Sequence, residues 1–318
     1  MTRKAVERSP ERLAILEKIR ALEAAGGESF YVDVEDDPSG HELRPDEVDY
    51  LRKKWSSKFK TFWARLAAAI LQPLVRRDLQ ITVVGEENLA SIRGGAILTS
   101  NHFSIFENLA VKEVADRVPG RHRFYRVIKG LNFFQPGWVG FLMQNCDTLP
   151  LSKNLKTMRL FGDALEKILA NDGLVLVYPE QAMWCNYRKP RPPKAGAFFY
   201  AAKFDVPIIP CFVTMEDTDR LDSYGFPKQK YTVHVMPPLY PDPNLSDREN
   251  EHRMMQLNYD LCRACYRDVY GEEVGWAAGT RVLWGMRFLG GLLKKSPQTP
   301  SKLFEPKRFW RRFLNAKR

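Results

Sequence analysis

A histidine and a carboxylate lie close together in the sequence, directly after a run of apolar residues. His102 and Glu107 are five positions apart and follow the run Ala96-Ile97-Leu98. A short apolar run behind two glycines predicts a buried strand, so we expect His102 where that strand leaves the core. Loops at strand ends are where rigid scaffolds usually present reactive groups.

This spacing allows the two side chains to act as a pair. We expect Glu107 near the start of a helix capped by Ser100 or Asn101, where its carboxylate accepts a hydrogen bond from one ring nitrogen of His102. That bond would fix the tautomer and leave the other nitrogen free to act as a base. An isolated pair at this spacing is also typical of a capping histidine and a solvent-facing glutamate, so the interpretation depends on the rest of the chain.

The composition predicts a folded protein with an anionic partner. The chain has 318 residues, of which 44% are hydrophobic, and this is enough for a substantial core. A net charge of +11 favours a nucleic acid, an anionic membrane or a phosphorylated substrate as the partner. The five cysteines are odd in number and scattered, as is typical of reduced thiols in a cytosolic compartment. Cys262 and Cys265 form a lone C-x-x-C, for which we expect packing, and no metal is predicted.

No segment has the features of a signal peptide or a membrane-spanning helix. Residues 1–27 carry charges throughout and lack the apolar core that a signal peptide needs. The longest apolar stretches, Leu66–Val75 and Leu131–Cys146, are shorter than the ~20 residues that span a bilayer. A transmembrane protein is therefore not expected.

Two segments combine aromatic residues at helical spacing with many cations. In residues 46–77 large apolar residues, including four aromatic ones, recur mostly at intervals of three and four, and no acidic residue lies between Leu51 and Arg77. Residues 307–314 repeat this combination of aromatic residues and cations. Such helices are typical of membrane-surface anchors, in which each cation near an anionic surface contributes about 1 kcal/mol. For the first helix, the alternative is an aromatic stripe that packs on the neighbouring domain. Nucleic-acid tails usually lack such an apolar face, so we expect a membrane surface and no nucleic acid.

The middle of the chain alternates predicted strands and helices. The predicted strands are residues 80–84, 96–98, 124–128, 174–178, 207–213 and 231–235, and the predicted helices are 9–25, 108–116, 156–170, 197–204 and 246–270. This predicts an α/β fold: a mixed, largely parallel sheet covered by helices, with basic amphipathic helices near both termini. The predicted regions are an N-terminal helical region (1–78), an α/β domain (79–245) and C-terminal helices with a basic aromatic tail (246–318).

Four further segments follow the histidine motif in order. They are Lys129-Gly130-Leu131 ahead of an aromatic and glycine-rich stretch, Leu149–Lys153, Val177-Tyr178-Pro179-Glu180-Gln181, and Lys194–Phe198 ahead of Val206–Pro210. Across roughly Leu79 to Leu239, this order resembles the glycerolipid acyltransferases of the lysophosphatidic acid acyltransferase family. That family's pattern is an H-x4-D motif, a lysine before an aromatic-glycine stretch, an F-P-E-G-T-R-S motif and a V-P-I-x-P strand.

The resemblance implies an O-acyltransferase that moves a fatty acyl group from acyl-CoA or acyl carrier protein to the hydroxyl of a lysophospholipid. The simplest acceptor is 1-acylglycerol 3-phosphate, which would give phosphatidic acid. The acyl thioester is a co-substrate and no cofactor is implied. The resemblance also implies attachment to a membrane, which we expect to be peripheral or monotopic and on the cytoplasmic face.

In this interpretation His102 and Glu107 are the catalytic residues. His102 would remove the proton from the attacking hydroxyl, and Glu107 would hold the ring, without a covalent enzyme intermediate. The oxyanion would be bound by backbone N–H groups near His102 or at Val139-Gly140.

The sequence departs from the family pattern at two places. Glu107 stands where the family usually has Asp, and one extra methylene still permits the hydrogen bond to the imidazole. The segment Tyr178–Trp184 keeps Pro-Glu but lacks the Gly, Thr and Arg that follow. In the family that arginine is associated with the phosphate of the acceptor, so the identity of the acceptor stays open.

Several residues are candidates for binding the substrates, mainly through phosphate groups. Lys129 and Lys194 match family positions, Glu180 matches the Pro-Glu motif, and Arg126 is a further available cation. The cluster Arg188-Lys189-Pro190-Arg191 could replace the missing arginine, although a charge run in a proline-rich loop is more often solvated. The predicted substrate-binding residues are Lys129, Glu180, Lys194, Arg188 and Arg191.

Three other functions fit parts of the sequence. One is an acyltransferase for a lyso-lipid without a phosphate. Another is a thioesterase or lipase-like hydrolase with Cys185 or Ser104 as the nucleophile, but the G-x-S-x-G elbow of such enzymes is missing. The third is a non-catalytic relative that only binds acyl chains or membranes.

Overall fold

A seven-stranded sheet forms the centre of this computed structural model, which describes residues 8–34 and 41–275. The strands are β1 (Thr82–Val84), β2 (Ala96–Thr99), β3 (Phe124–Ile128), β4 (Thr148–Pro150), β5 (Leu174–Val177), β6 (Ile208–Leu221) and β7 (Pro227–Val235). Their order is β1-β7-β6-β2-β5-β3-β4, and β6 and β7 are antiparallel, whereas every other neighbouring pair is parallel. The predicted mixed, largely parallel sheet is confirmed.

Helices cover both faces of the sheet. They are α1 (Pro10–Ala25), α2 (Trp55–Leu79), α3 (Glu107–Ala115), α4 (Gly137–Asn145), α5 (Leu155–Ala170), α6 (Gly196–Lys203) and α7 (Asp247–Tyr270). The central strand β2 shows how the core is divided, because its side chains alternate between the two faces. Leu98 packs with Val111 and Val114 of α3, whereas Ile97 packs with Phe161 of α5 and Phe198 of α6.

Two elements were not predicted from the sequence, α4 and β4. Strand β4 has only three residues, and α4 contains glycines that do not favour a helix. The chain nevertheless turns tightly into α4, where a Cβ at Gly140 would lie 1.6 Å from the carbonyl oxygen of Gln135. A glycine is therefore required at this close approach.

Helix α2 begins later than the predicted residue 46. The carboxylate of Asp49 accepts hydrogen bonds from the backbone N–H groups of Lys53 and Lys54, both at 3.0 Å, and Arg52 has φ +53°. These contacts form a turn ahead of the helix, so the helix starts at Trp55. The second predicted basic helix, 307–314, lies outside the described residues, and the predicted division into three regions remains a prediction.

The aromatic stripe of α2 is largely exposed. Only Thr61, Ala64 and Leu79 of this helix are buried, and Val75 packs against the core. The alternative in which the whole stripe packs on the neighbouring domain is therefore wrong for the middle of the helix. We call the following exposed residues the α2 surface: Trp55, Phe59, Phe62, Trp63, Leu66, Ile70, Leu71 and Leu74.

Helix α4 packs beside α2 and adds the exposed residues Trp138, Val139 and Phe141. None of the helices in residues 8–34 and 41–275 has both the length and the apolar character that crossing a bilayer requires.

Candidate active site

The loop after β2 is held rigidly between neighbouring elements. The buried Asn101 side chain donates to the carbonyl oxygen of Val213 at 3.0 Å and accepts from the N–H of the same residue at 2.8 Å, which joins the loop to β6. Two residues earlier, the Thr99 hydroxyl donates to the side-chain oxygen of Asn258 in α7 at 2.6 Å. These buried bonds fix the direction in which the chain leaves the sheet at His102.

The backbone of His102 is bound on both sides. Its N–H donates to Oε2 of Glu180 at 3.2 Å, and its carbonyl oxygen accepts from the N–H of Trp184 at 3.0 Å and from Nη2 of Arg191 at 3.4 Å. The Pro-Glu motif after β5 therefore holds the histidine loop in place.

His102 and Glu107 form the predicted pair. Nδ1 of His102 lies 2.5 Å from Oε1 of Glu107, the first residue of α3. The Glu107 side chain is 1% exposed, whereas that of His102 is 21% exposed. A proton shared at Nδ1 leaves Nε2 as the acceptor nitrogen of a neutral ring, so the partly exposed imidazole can take a proton from a bound molecule.

Tyr178 packs against this pair, a contact that the sequence did not predict. Its ring stacks on the imidazole of His102 with a centroid distance of 4.0 Å and an interplanar angle of 11°. Burial, the larger cause, and the nearby negative charge of Glu107, the smaller one, raise the pKa of the Tyr178 hydroxyl well above its usual value. The hydroxyl and Oε2 of Glu107 are both buried, and the hydroxyl interacts with the Glu107 carboxylate.

Glu180 and Arg191, two of the predicted substrate-binding residues, form a buried ion pair. Arg191 is fully buried and donates to Glu180 through its backbone N–H at 2.9 Å, Nε at 3.1 Å and Nη2 at 2.9 Å. It also donates to the carbonyl oxygens of Phe30, at 2.7 Å, and Ala182. Neither side chain presents a surface to a substrate here, and both position the loop that carries His102.

We expect the Arg191→Met variant to lose about 3–5 kcal/mol of unfolding free energy, because it leaves the buried carboxylate of Glu180 without its partner. Arg188→Met is the matched control, since Arg188 forms an exposed ion pair with Asp217 at 2.7 Å and such pairs contribute about 0–1 kcal/mol. Urea denaturation measures both. Equal losses in the two variants would contradict the role given to Arg191.

The other predicted cations lie at the surface and pair with carboxylates. Lys129 pairs with Asp33, and Lys194 pairs with Glu28 at 2.8 Å and lies 3.8 Å from the ring centroid of Tyr31. Both acidic partners belong to the segment that follows α1. The structure brings together His102, Glu107, Glu180 and Arg191, and it leaves Lys129, Lys194 and Arg188 as accessible cations.

Arg126, a further predicted cation, joins two helices. Its guanidinium donates to Asn108 of α3 at 2.9 Å and to the carbonyl oxygen of Cys146, just after α4, at 2.6 Å. Val139 and Gly140, whose backbone N–H groups were predicted as possible oxyanion donors, lie in the first turn of α4. There the N–H of Gly140 already donates to the carbonyl oxygen of Pro136 at 3.4 Å.

The alternative nucleophiles are engaged elsewhere. The hydroxyl of Ser104 accepts from the N–H of Phe106 at 3.1 Å, and the buried sulfur of Cys185 accepts from Arg12 at 2.8 Å. Burial raises the pKa of the Cys262 and Cys265 thiols, which are packed in α7 as protonated side chains. Within residues 8–34 and 41–275, no three His, Cys, Asp or Glu side chains form a group suited to a metal ion.

The turn of the Pro-Glu motif explains one departure from the family pattern. Gln181 stands where that pattern has glycine, and its φ of +63° lies in the left-handed region that favours glycine. The N–H of Gln181 donates to the carbonyl oxygen of Tyr178 at 3.1 Å, which closes the turn. The tight turn after Glu180 is thus formed without the glycine.

Residues 80–214 match the family model described as Acyltransferase, and this range contains every predicted site residue. Among solved structures, the chain is similar to the 1-acyl-sn-glycerophosphate (LPA) acyltransferase, PlsC, from Thermotoga maritima, with 16% identity, coverage of 65% of this chain and 87% of that chain, and a TM-score of 0.42. The comparison with curated proteins gave no match. The family match confirms the predicted acyltransferase and places the predicted motifs inside the matched range.

Proposed function

We propose that this protein transfers a fatty acyl group from acyl-CoA or acyl carrier protein to the free hydroxyl of a lysophospholipid at a membrane surface. The simplest acceptor is 1-acylglycerol 3-phosphate, and the product is then phosphatidic acid. The observation that carries the proposal is the bond of 2.5 Å between Nδ1 of His102 and Oε1 of Glu107, with the imidazole partly exposed and the carboxylate buried.

The chemistry follows from this pair. An alcohol is a poor nucleophile at neutral pH, so Nε2 of His102 takes its proton as the oxygen attacks the thioester carbonyl. Glu107 stabilises the imidazolium that forms and keeps Nδ1 protonated. When the tetrahedral intermediate collapses, the carbon–sulfur bond breaks and the thiolate takes the proton from the imidazolium. The products are the ester and free thiol.

Two cations are suited to the phosphate of the acceptor or of the coenzyme. The side chains of Lys129 and Lys194 are partly exposed. The side chains of their partners, Asp33 and Glu28, are more exposed than the two lysines. Exposed pairs of this kind contribute only about 0–1 kcal/mol, so a phosphate dianion can replace either carboxylate at small cost. Arg188, paired with Asp217, is a third cation of this kind.

The α2 surface supports placement on a membrane. Aromatic and aliphatic side chains lie exposed along most of this helix, with Lys53, Lys54, Lys58 and Lys60 also exposed near its start. Insertion of such side chains into the headgroup region, with lysines near anionic lipids, is the typical binding mode of interfacial helices.

We expect the Tyr178→Phe variant to lower kcat about tenfold and to leave KM for both substrates unchanged. The ring that stacks on His102 stays, but the buried Glu107 carboxylate loses its interaction with the Tyr178 hydroxyl, and removing one partner of a buried acceptor costs about 1–3 kcal/mol. Tyr224→Phe, an exposed tyrosine, is the control. Steady-state kinetics test this, and an unchanged kcat would show that the hydroxyl does not position Glu107.

A panel of acceptors tests the proposed function. Purified protein is mixed with a long-chain acyl-CoA and with lyso-lipids that differ in the head group, with and without a phosphate, and release of free thiol is followed. We expect release that depends on an acceptor and is fastest with lysophosphatidic acid. Release without an acceptor would identify a hydrolase, and no release with any acceptor or thioester donor would contradict acyl transfer.

A further inference from the structure

A cleft lined by cations lies at the edge of the sheet opposite His102. Its volume is about 590 Å³, and Arg121, His122 and Arg123, which precede β3, line it together with Lys167 near the end of α5. Because β2, β5 and β3 are parallel, His102 follows the carboxyl edge of these strands and the cleft lies at their amino edge. Strands of four to five residues separate the two edges by about 15 Å, so the cleft is distinct from the active site.

The cations of this cleft have no acidic partners in the described part of the chain. Arg121, Arg123 and Lys167 form no ion pair there, and no residue that lines the cleft is acidic. By contrast, the exposed Arg117 and Arg220 each pair with a carboxylate. A concave surface with several unpaired cations concentrates positive potential, which favours an anionic ligand.

The ring of His122 is held in the wall of the cleft through both of its nitrogens. Its Nδ1 lies 2.8 Å from the carbonyl oxygen of Asp172, and its Nε2 lies 2.8 Å from the carbonyl oxygen of Pro119. Carbonyl oxygens only accept, so the ring nitrogen that carries the proton donates to one of them, which fixes the orientation of the ring.

The carbonyl groups at the end of α5 are hydrogen-bonded within the protein, so they do not repel an anion in the cleft. The carbonyl oxygen of Ile168 accepts from the N–H groups of Asn171 and Gly173, and that of Leu169 accepts from Asp172. The carbonyl oxygen of Lys167 accepts from the Asn171 side chain at 2.6 Å. The negative end of the helix is thereby satisfied within the protein.

We propose that this cleft binds the phosphate group of an ester, either the head group of an anionic lipid or a soluble phosphate ester. Two arginines and a lysine provide the charge-assisted donors that phosphate oxygens accept, and Leu51, Tyr125 and Ile168 provide an apolar wall for the carbon part of the ligand. Leu51 lies four residues before α2, so the cleft adjoins the start of the α2 surface. This proposal does not depend on the chemistry of the His102–Glu107 pair.

The test compares two variants of the full chain that lose the same charge. Arg121→Gln/Arg123→Gln/Lys167→Gln alters the cleft, and Arg20→Gln/Lys203→Gln/Arg248→Gln removes three exposed cations elsewhere. Binding is measured to phosphatidylcholine vesicles with and without phosphatidic acid, and by calorimetry to glycerol 3-phosphate. Thermal unfolding confirms that both variants are folded.

We expect the cleft variant to bind at least one of the two phosphate probes about tenfold more weakly than the control variant does. A loss confined to vesicles with phosphatidic acid assigns the site to a lipid head group, and a loss with glycerol 3-phosphate assigns it to a soluble ester. If the cleft variant and the control variant bind both probes equally, the proposal is overturned.

Discussion

Replacing His102 with alanine is expected to lower the rate of acyl transfer by about 10²–10⁴-fold, because the acceptor hydroxyl loses its only general base in the proposed mechanism. KM for the acyl thioester should change little, since the imidazole acts on the hydroxyl. The variant should also be folded, because the loop is held through the backbone of His102 and not through its ring. The measurement is thiol release with acyl-CoA and lysophosphatidic acid.

Glu107 allows a sharper test of the same pair. In Glu107→Gln the amide can donate to Nδ1, which favours the wrong tautomer, and we expect a loss of about 10³–10⁴-fold. Glu107→Asp keeps the charge but shortens its reach by one methylene, so a smaller loss of about 10²-fold is expected. Equal activity of Glu107→Gln and the unaltered protein would contradict the role of the carboxylate.

Removing the apolar side chains of the α2 surface is expected to lower vesicle binding at least about 100-fold. The variant carries serine at Trp55, Phe62, Ile70 and Leu74, all of which are exposed. Burial of one large apolar side chain contributes about 1.5–3 kcal/mol when complete, so partial insertion of four such residues accounts for an effect of this size. Cosedimentation with anionic vesicles measures the binding.

The control replaces four exposed apolar residues outside α2 and α4 with serine: Leu155, Leu221, Leu257 and Val269. We expect it to bind vesicles like the unaltered protein. If the α2 variant also does so, the helix is not the membrane-binding surface. Thioester turnover with a short-chain soluble acceptor should be unchanged in the α2 variant, since its substitutions lie outside the site around His102.

The contact between His102 and Glu107 was predictable because it is local. Glu107 lies five positions after His102, and the apolar run before them and the helix after them are recognisable from sequence patterns. The parallel strands were predictable for the same reason, since β2 and β5 are continuous apolar runs. Short or irregular elements such as β4 and α4 give no such pattern.

The surroundings of the pair were not predictable because they come from distant segments. Arg191 reaches Glu180, Phe30 and His102, and its position in a proline-rich charge run suggested a solvated cation or a phosphate ligand. Only the fold shows that its guanidinium is buried. The stacking of Tyr178 on His102 likewise depends on β5 lying beside β2, since the two residues are far apart in the chain.

The claim that His102 and Glu107 drive transfer to a lipid hydroxyl is tested most directly by the ratio of two products. Free thiol and newly formed lipid ester are quantified in the same reaction of the unaltered protein with acyl-CoA and lysophosphatidic acid. We expect the two to form in equal amounts and both to depend on the acceptor and on His102. Thiol without ester, or ester formation that persists in His102→Ala, would contradict this account.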